Sequence, residues 1–258
     1  MINRVMKNET STLLNSAICS KMFSSLVVDL TDQSIKTCCK TTKFDIDNEP
    51  ITPKIFIDNK DYNERKKNML FDNILPPKAC KGCIDSNPNS FFRFRNAYYN
   101  MHFTLEEKNK LYQNNDFSSI EIRLSNTCQL KCIYCNEILS NSWGKEKGIQ
   151  ENTTNTSWNN SIINNLILFL KTLPKNKKRT FLISGGEPTI NLDCFDIIDQ
   201  IVSIFGDTSL LHFIINTNLA SKSNLIEKYL LLGDKYKNII WEFGVSIDGL
   251  YEQAEAVR

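Results

Sequence analysis

Short runs of alternating apolar and polar residues are separated by longer stretches that repeat with helical spacing. Ile120, Ile122 and Leu124 alternate with Glu121 and Arg123, which predicts a strand. Ile162, Leu166, Phe169, Leu170 and Leu173 recur at helical spacing and predict a helix over 158–173, with Pro174 as its stop. A strand over 180–184 follows, then a helix over 192–205 closed by Gly206. A strand over 210–216, a helix over 224–232 capped by Gly233, and a strand over 239–247 continue the rhythm. Such strand–helix alternation means a parallel sheet with right-handed crossovers. The first third reads differently. Runs at 26–30 and 34–38 predict two strands joined by a turn at Thr31-Asp32-Gln33. A loop with Pro50 and Pro53, an amphipathic helix over 62–70 and an arginine- and aromatic-rich connecting segment over 91–100 come after.

With 258 residues, 41% of them apolar, the chain can bury a sizeable core in one large domain or two small ones. A net charge of +2, mixed along the chain, gives no footprint for nucleic acid or an anionic membrane. Residues 1–17 lack an apolar run long enough for a signal peptide, and the most apolar stretch, 162–170, is broken by Asn164 and Asn165. Nine cysteines with tight C-x2-C spacings and no export signal point to metal or cluster ligation in a reducing cytoplasm rather than to disulfides. The N-x-[ST] patterns at Asn152, Asn155 and Asn159 are then incidental.

The densest chemistry is at Cys128, Cys132 and Cys135, three thiols at C-x3-C-x2-C spacing in the loop leaving the 120–124 strand. Soft thiolates this close suit an iron–sulfur cluster, and three ligands for a four-iron cluster leave one iron free for other chemistry. A zinc knuckle completed by a distant fourth cysteine is the alternative. Gly185-Gly186-Glu187-Pro188 follows the second strand of the alternating region, Asn216-Thr217-Asn218 the third, and Ser246-Ile247-Asp248-Gly249 the fourth. All four polar motifs therefore fall at the carboxyl ends of strands, the active face of parallel α/β barrels. His102, His212 and Cys194 read as structural, the histidines having no ligand-like partners nearby.

The C-x3-C-x2-C motif, with Tyr134 before its third cysteine, resembles the signature of the radical S-adenosylmethionine (radical SAM) enzymes. That resemblance implies a [4Fe–4S] cluster on Cys128, Cys132 and Cys135, whose open iron chelates S-adenosylmethionine. Reductive cleavage then gives a 5′-deoxyadenosyl radical that abstracts hydrogen from an unreactive C–H bond. Tyr134 matches the aromatic position beside the adenine, and Gly185, Gly186 and Glu187 match the motif that holds the amino group of the methionine moiety. Glu187 would add negative charge facing that ammonium-like donor. Ser246 matches a polar position that contacts ribose or carboxylate. Asn218 is a further cofactor contact, in a Thr-Asn-Gly-like motif whose glycine is replaced by Leu219. The implied fold is a (β/α)6 TIM-like barrel of which about four β/α units are present over 117–258, so the sequence reads as a truncated barrel with its active site incomplete.

Cys19, Cys38, Cys80 and Cys83 make a second four-thiolate set, similar to the SPASM or twitch auxiliary-cluster modules of that family, here preceding the barrel over 15–100. Gln33 stands where those modules have a turn glycine, and four residues separate it from Cys38, which fits their spacing better than the adjacent Cys39. A second [4Fe–4S] cluster and a structural zinc both remain open there. The resemblance further implies an electron donor such as flavodoxin or ferredoxin and a substrate that in related enzymes is often a peptide. A non-catalytic iron–sulfur or zinc-binding protein is the rival reading.

Overall fold

The computed structural model describes residues 18–38, 41–46, 52–76, 78, 80, 103–148, 156–220 and 223–246. The connecting segment over 91–100, His102, Cys39 and Cys83 lie outside the described residues. The chain divides into two compact units, one of residues 1–26, 36–50 and 54–117, the other of 27–35, 51–53 and 118–258.

In the first unit, helix α1 (Ser20–Ser24) precedes α2 (Lys60–Leu70) and α3 (Leu105–Gln113). Helix α2 starts where the Asn59 side chain accepts the Tyr62 N–H at 2.9 Å, supplying a partner for an otherwise orphaned donor. Its buried stripe of Tyr62, Lys66, Met69 and Leu70 follows helical spacing. Tyr62 donates its hydroxyl to the Met22 carbonyl at 3.1 Å, and its ring packs against Phe44 and Phe117 at 5.1 and 6.2 Å. Helix α3 opens on a capping box formed by Thr104 and Glu107 and buries none of its residues, so no apolar periodicity announces it. It is nevertheless held by the buried Lys66, whose ammonium donates to the Tyr112 carbonyl at 2.9 Å and the Asn115 side chain at 3.1 Å. The same ammonium lies 4.4 and 5.0 Å from the centroids of the Tyr62 and Tyr112 rings.

The second unit is built on a six-stranded sheet of order β2-β1-β3-β4-β5-β6. The strands are β1 (Ser25–Asp29), β2 (Ser34–Lys36), β3 (Ser119–Arg123), β4 (Arg179–Ser184), β5 (Leu211–Thr217) and β6 (Ile240–Val245). From β3 to β6 every neighbouring pair is parallel, as the alternation predicts. One face of the central strands carries Ile120, Ile122, Phe181, Ile183, Phe213 and Ile215, all fully buried. The rings of Phe181, Phe213 and Trp241 stack across three strands in register, at 5.3 and 5.2 Å. Helices α5 (Thr156–Thr172), α6 (Asp193–Phe205) and α7 (Ser223–Lys235) supply the connections, and a shorter α4 (Asn141–Glu146) follows the cysteine loop. Gly206, at φ 71°, ends α6 as expected.

The 26–30 and 34–38 runs form the expected hairpin, and its residues 27–35 group with the second unit. The reason is that β1 is buried at every position and continues the sheet beside β3, where Leu30 N–H donates to the Arg123 carbonyl at 2.8 Å. Gly233 does not cap α7, which runs on to Lys235. Lys235 and Tyr236 both bond Asp199 of α6, at 2.9 and 2.8 Å, and this anchorage offsets the roughly 1 kcal/mol cost of an internal glycine. Among the described residues, no helix is long and apolar enough to cross a membrane.

Burial pulls the Lys66 pKa down to about 8, with Asp58 acting weakly in the opposite sense. The native ammonium thus begins to lose its proton near pH 8, whereas the unfolded side chain keeps it until about pH 10.4. Between those values the unfolded chain binds more protons, so this group makes stability rise with pH. Urea unfolding of the parent and Lys66→Met proteins at pH 7, 8, 9 and 10 measures the effect. The parent should gain on the variant by on the order of 1 kcal/mol from pH 7 to 10, and a gap that does not change with pH would contradict it.

Candidate functional site

Four loops meet at the carboxyl ends of the parallel strands. Thr127 and the three cysteines follow β3, Gly185 to Glu187 follow β4, Asn218 follows β5 and Ser246 follows β6. The Glu187 N–H donates to the Thr127 carbonyl at 2.8 Å, joining the first two loops, and the Ser246 N–H donates to the Thr217 carbonyl at 2.9 Å, joining the last two. Gly185 and Gly186 both have positive φ, 89° and 55°. Besides that conformation, a side chain at Gly186 would run into the Thr127 carbonyl oxygen, and one at Gly185 would come within 3.0 Å of the Ser125 carbonyl oxygen. The glycines are there so that the turn can lie against the backbone of the cysteine loop.

Glu187 is 1% exposed and its carboxylate is fully engaged. One oxygen accepts the Thr189 N–H at 3.1 Å, the Thr189 hydroxyl at 2.5 Å and the Thr217 hydroxyl at 2.7 Å. The other accepts the Asn218 N–H at 2.6 Å. Through these contacts the carboxylate ties the β4 turn to the tip of β5. Asn218 continues the chain of contacts. Its Oδ1 accepts from Ala220 N–H at 2.8 Å and from the Gln129 side chain at 3.2 Å, and its Nδ2 donates to Cys128 Sγ at 3.7 Å.

The cysteine loop has no regular structure, so its backbone groups need other partners. Residues at the start of α4 provide them. The Ser140 hydroxyl donates to the Leu130 carbonyl at 2.7 Å, the Ser142 hydroxyl to the Cys128 carbonyl at 2.6 Å, and the Trp143 indole N–H to the Cys132 carbonyl at 3.0 Å. The Asn141 side chain accepts the Cys128 N–H at 3.1 Å. The apolar pattern gives these four residues no role; their signal in the sequence is the run of Ser and Asn, side chains that bond nearby backbone instead of packing. Tyr134 is exposed, Cys132 is buried, and Cys128 and Cys135 are half-buried. Burial pushes the Cys128 thiol pKa up, against hydrogen bonds from Leu130 and Ser140 that pull it down.

In the first unit, Cys19 and Cys38 are half-buried and Cys80 is buried. Among the described residues, no three His, Cys, Asp or Glu side chains are gathered as a metal-ion site. The donor chemistry of the loop nonetheless fits a cluster: three thiols on one segment, with the Leu130 backbone nitrogen 3.5 Å and the Asn218 side-chain Nδ2 3.7 Å from the Cys128 sulfur. Cys194 is buried in α6 and its pKa is pushed up to about 12, chiefly by burial, in keeping with a packing role. His212, read as structural, has Nε2 3.2 Å from Glu242 Oε2 of the neighbouring strand. That pair is near the opposite end of the strands, about 16 Å along β5 from Thr217. The sequence pattern could not show it, because the two residues meet only through the β5–β6 register.

Compared with family models, curated proteins and solved structures, the chain matches none.

Two substitutions test how the loops are held. Glu187→Gln puts an amide N–H among four donors and should cost about 3 kcal/mol, read as a lower urea midpoint. Gly186→Ala should part the turn from Thr127 and raise the reactivity of Cys128 and Cys132 toward a thiol reagent by roughly tenfold, a local opening of about 1.4 kcal/mol. Unchanged midpoint and thiol rates would show that the loops do not depend on these contacts.

Proposed function

We propose that this chain is a radical SAM protein, binding a [4Fe–4S] cluster through Cys128, Cys132 and Cys135 and S-adenosylmethionine beside it. The observation that carries the reading is the hydrogen-bonded meeting of the cysteine loop, the Gly-Gly-Glu-Pro turn and the Asn218 tip at one end of a parallel sheet. Single motifs of these kinds occur as ordinary turns, whereas their joint placement at the active face of an α/β sheet suits a cofactor site. The four parallel strands β3 to β6 are read as consecutive units of a (β/α)6 TIM-like barrel.

When bound, the cluster supplies the electron for reductive cleavage of S-adenosylmethionine. The chain's own residues do the holding. Glu187 fixes the turn, so that contact with the methionine amino group falls to the backbone of Gly185 and Gly186 rather than to the carboxylate. Tyr134 offers an exposed ring for the adenine, and Ser246 an exposed hydroxyl for ribose or carboxylate. In the first unit, Cys19, Cys38 and Cys80, with Cys83, are the ligands proposed for an auxiliary [4Fe–4S] cluster. A peptide is the proposed substrate class, and a flavodoxin or ferredoxin the proposed electron donor.

Anaerobic reconstitution with iron and sulfide, followed by reduction with S-adenosylmethionine, tests the reading. The chain should bind roughly eight irons and form 5′-deoxyadenosine, and the combined Cys128→Ala, Cys132→Ala, Cys135→Ala variant should keep about half the iron and form none. Zinc without sulfide at the N-terminal set would remove the auxiliary cluster and leave the rest. Absence of 5′-deoxyadenosine from the iron-loaded chain would favour a non-catalytic iron–sulfur protein.

A further inference from the structure

We infer that Asn218 sets the reduction potential of the cluster by donating its side-chain N–H to the sulfur of Cys128. The inference rests on the function proposed above and adds to it, because it takes Asn218 from contact with S-adenosylmethionine to contact with a ligand thiolate. Three observations carry it. Asn218 Nδ2 is 3.7 Å from Cys128 Sγ, within reach of an N–H···S hydrogen bond. The amide cannot be turned round at no cost, because Oδ1 already accepts the Ala220 N–H at 2.8 Å and the Gln129 side chain at 3.2 Å. The backbone beneath it is pinned by the Glu187 carboxylate, which takes the Asn218 N–H at 2.6 Å. The donor is thus fixed in direction by contacts on both sides.

Cys128 also receives the Leu130 N–H, 3.5 Å from its sulfur. Two donors on one thiolate withdraw charge from it. A cluster gains an electron on reduction, and donors to its ligand sulfurs favour the more electron-rich state, which raises the potential. Backbone donors such as Leu130 survive substitution, but the contribution of Asn218 can be removed by changing one side chain. Cys128 then becomes the corner of the site that the β5 tip can address, through a path from Glu187 to Asn218 to sulfur.

The test is redox titration of the reconstituted chain, followed by EPR of the reduced cluster, with the N-terminal thiols replaced by Cys19→Ala, Cys38→Ala, Cys80→Ala and Cys83→Ala so that one cluster is observed. Asn218→Leu should shift the reduction equilibrium toward the oxidised form by threefold to tenfold, tenfold being ~59 mV for one electron. Gln129→Leu leaves the N–H···S contact in place and should change it by less than twofold. If Asn218→Leu fails to hold iron, Asn218→Ser serves, since its shorter hydroxyl stops short of the sulfur and should give the same shift. An Asn218 variant whose potential stays within twofold of the parent overturns the inference while leaving the cluster assignment standing. Failure of the parent to take up iron and sulfide overturns the functional reading, and this inference with it.

Discussion

The buried carboxylate of Glu187 is the constraint on which the site depends. A charge taken out of water is costly unless it is compensated, and here four donors surround it within 3.1 Å. These donors come from the turn after β4 and from the tip of β5. The residue's own N–H reaches the loop after β3, so one side chain and its peptide group hold three consecutive strand ends together. Neutral loops of this length would have several arrangements of similar energy. A buried charge has far fewer, because each lost donor leaves the carboxylate partly unsatisfied.

The cysteine loop is held by a second, independent set of contacts. Ser140, Asn141, Ser142 and Trp143 bond the backbone of Cys128, Leu130 and Cys132 and leave the thiols to other partners. In the cluster-binding role proposed above, this division matters. If the thiols themselves held the loop in shape, metal binding would have to break those bonds before making its own. The Lys131–Glu146 and Lys147–Glu137 ion pairs lie on the exposed side and add little, as solvent-exposed pairs generally do.

Most of the sheet was legible in the sequence because its two faces differ. Ile120, Ile122, Phe181, Ile183, Phe213 and Ile215 alternate with polar or half-exposed neighbours, and period two allows only one assignment. The positions of the motifs at the strand ends followed from that assignment. What local pattern could not reveal was partnership. Glu187 on a glycine-rich turn reads equally well as a ligand or a brace until Thr217 and Asn218 are seen beside it. The hairpin at 25–36 has the pattern of a strand pair wherever it docks, and its place beside β3 is a long-range fact. Helix α3 has no apolar stripe because it buries nothing, and the Thr104–Glu107 capping box is its one local signal. Gln33 and Leu219 both adopt left-handed backbone, φ 52° and 53°, a region that a glycine occupies with less strain. At Leu219 that conformation is supported by its own N–H donating to the Thr217 hydroxyl at 3.0 Å.

The same buried charge bears on the ionisation of the thiols around it. The second unit has four cysteines, and Cys194 differs from the three on the loop by its surroundings rather than by its type. It is fully buried, and burial together with the neighbouring charges of Asp193 and Glu187 favours the neutral thiol, only partly opposed by Tyr229. Tyr229 is itself held protonated by burial and donates to the Pro188 carbonyl at 3.0 Å, one residue from Glu187. On the loop side burial raises the pKa of Cys128, and the Glu187 charge acts in the same sense. What sets Cys128 apart from Cys194 is the pair of donors aimed at its sulfur, the Leu130 backbone N–H and the Asn218 side-chain N–H, which offset part of that cost. In the cluster-binding role proposed above, these donors would support the thiolate that ligation requires.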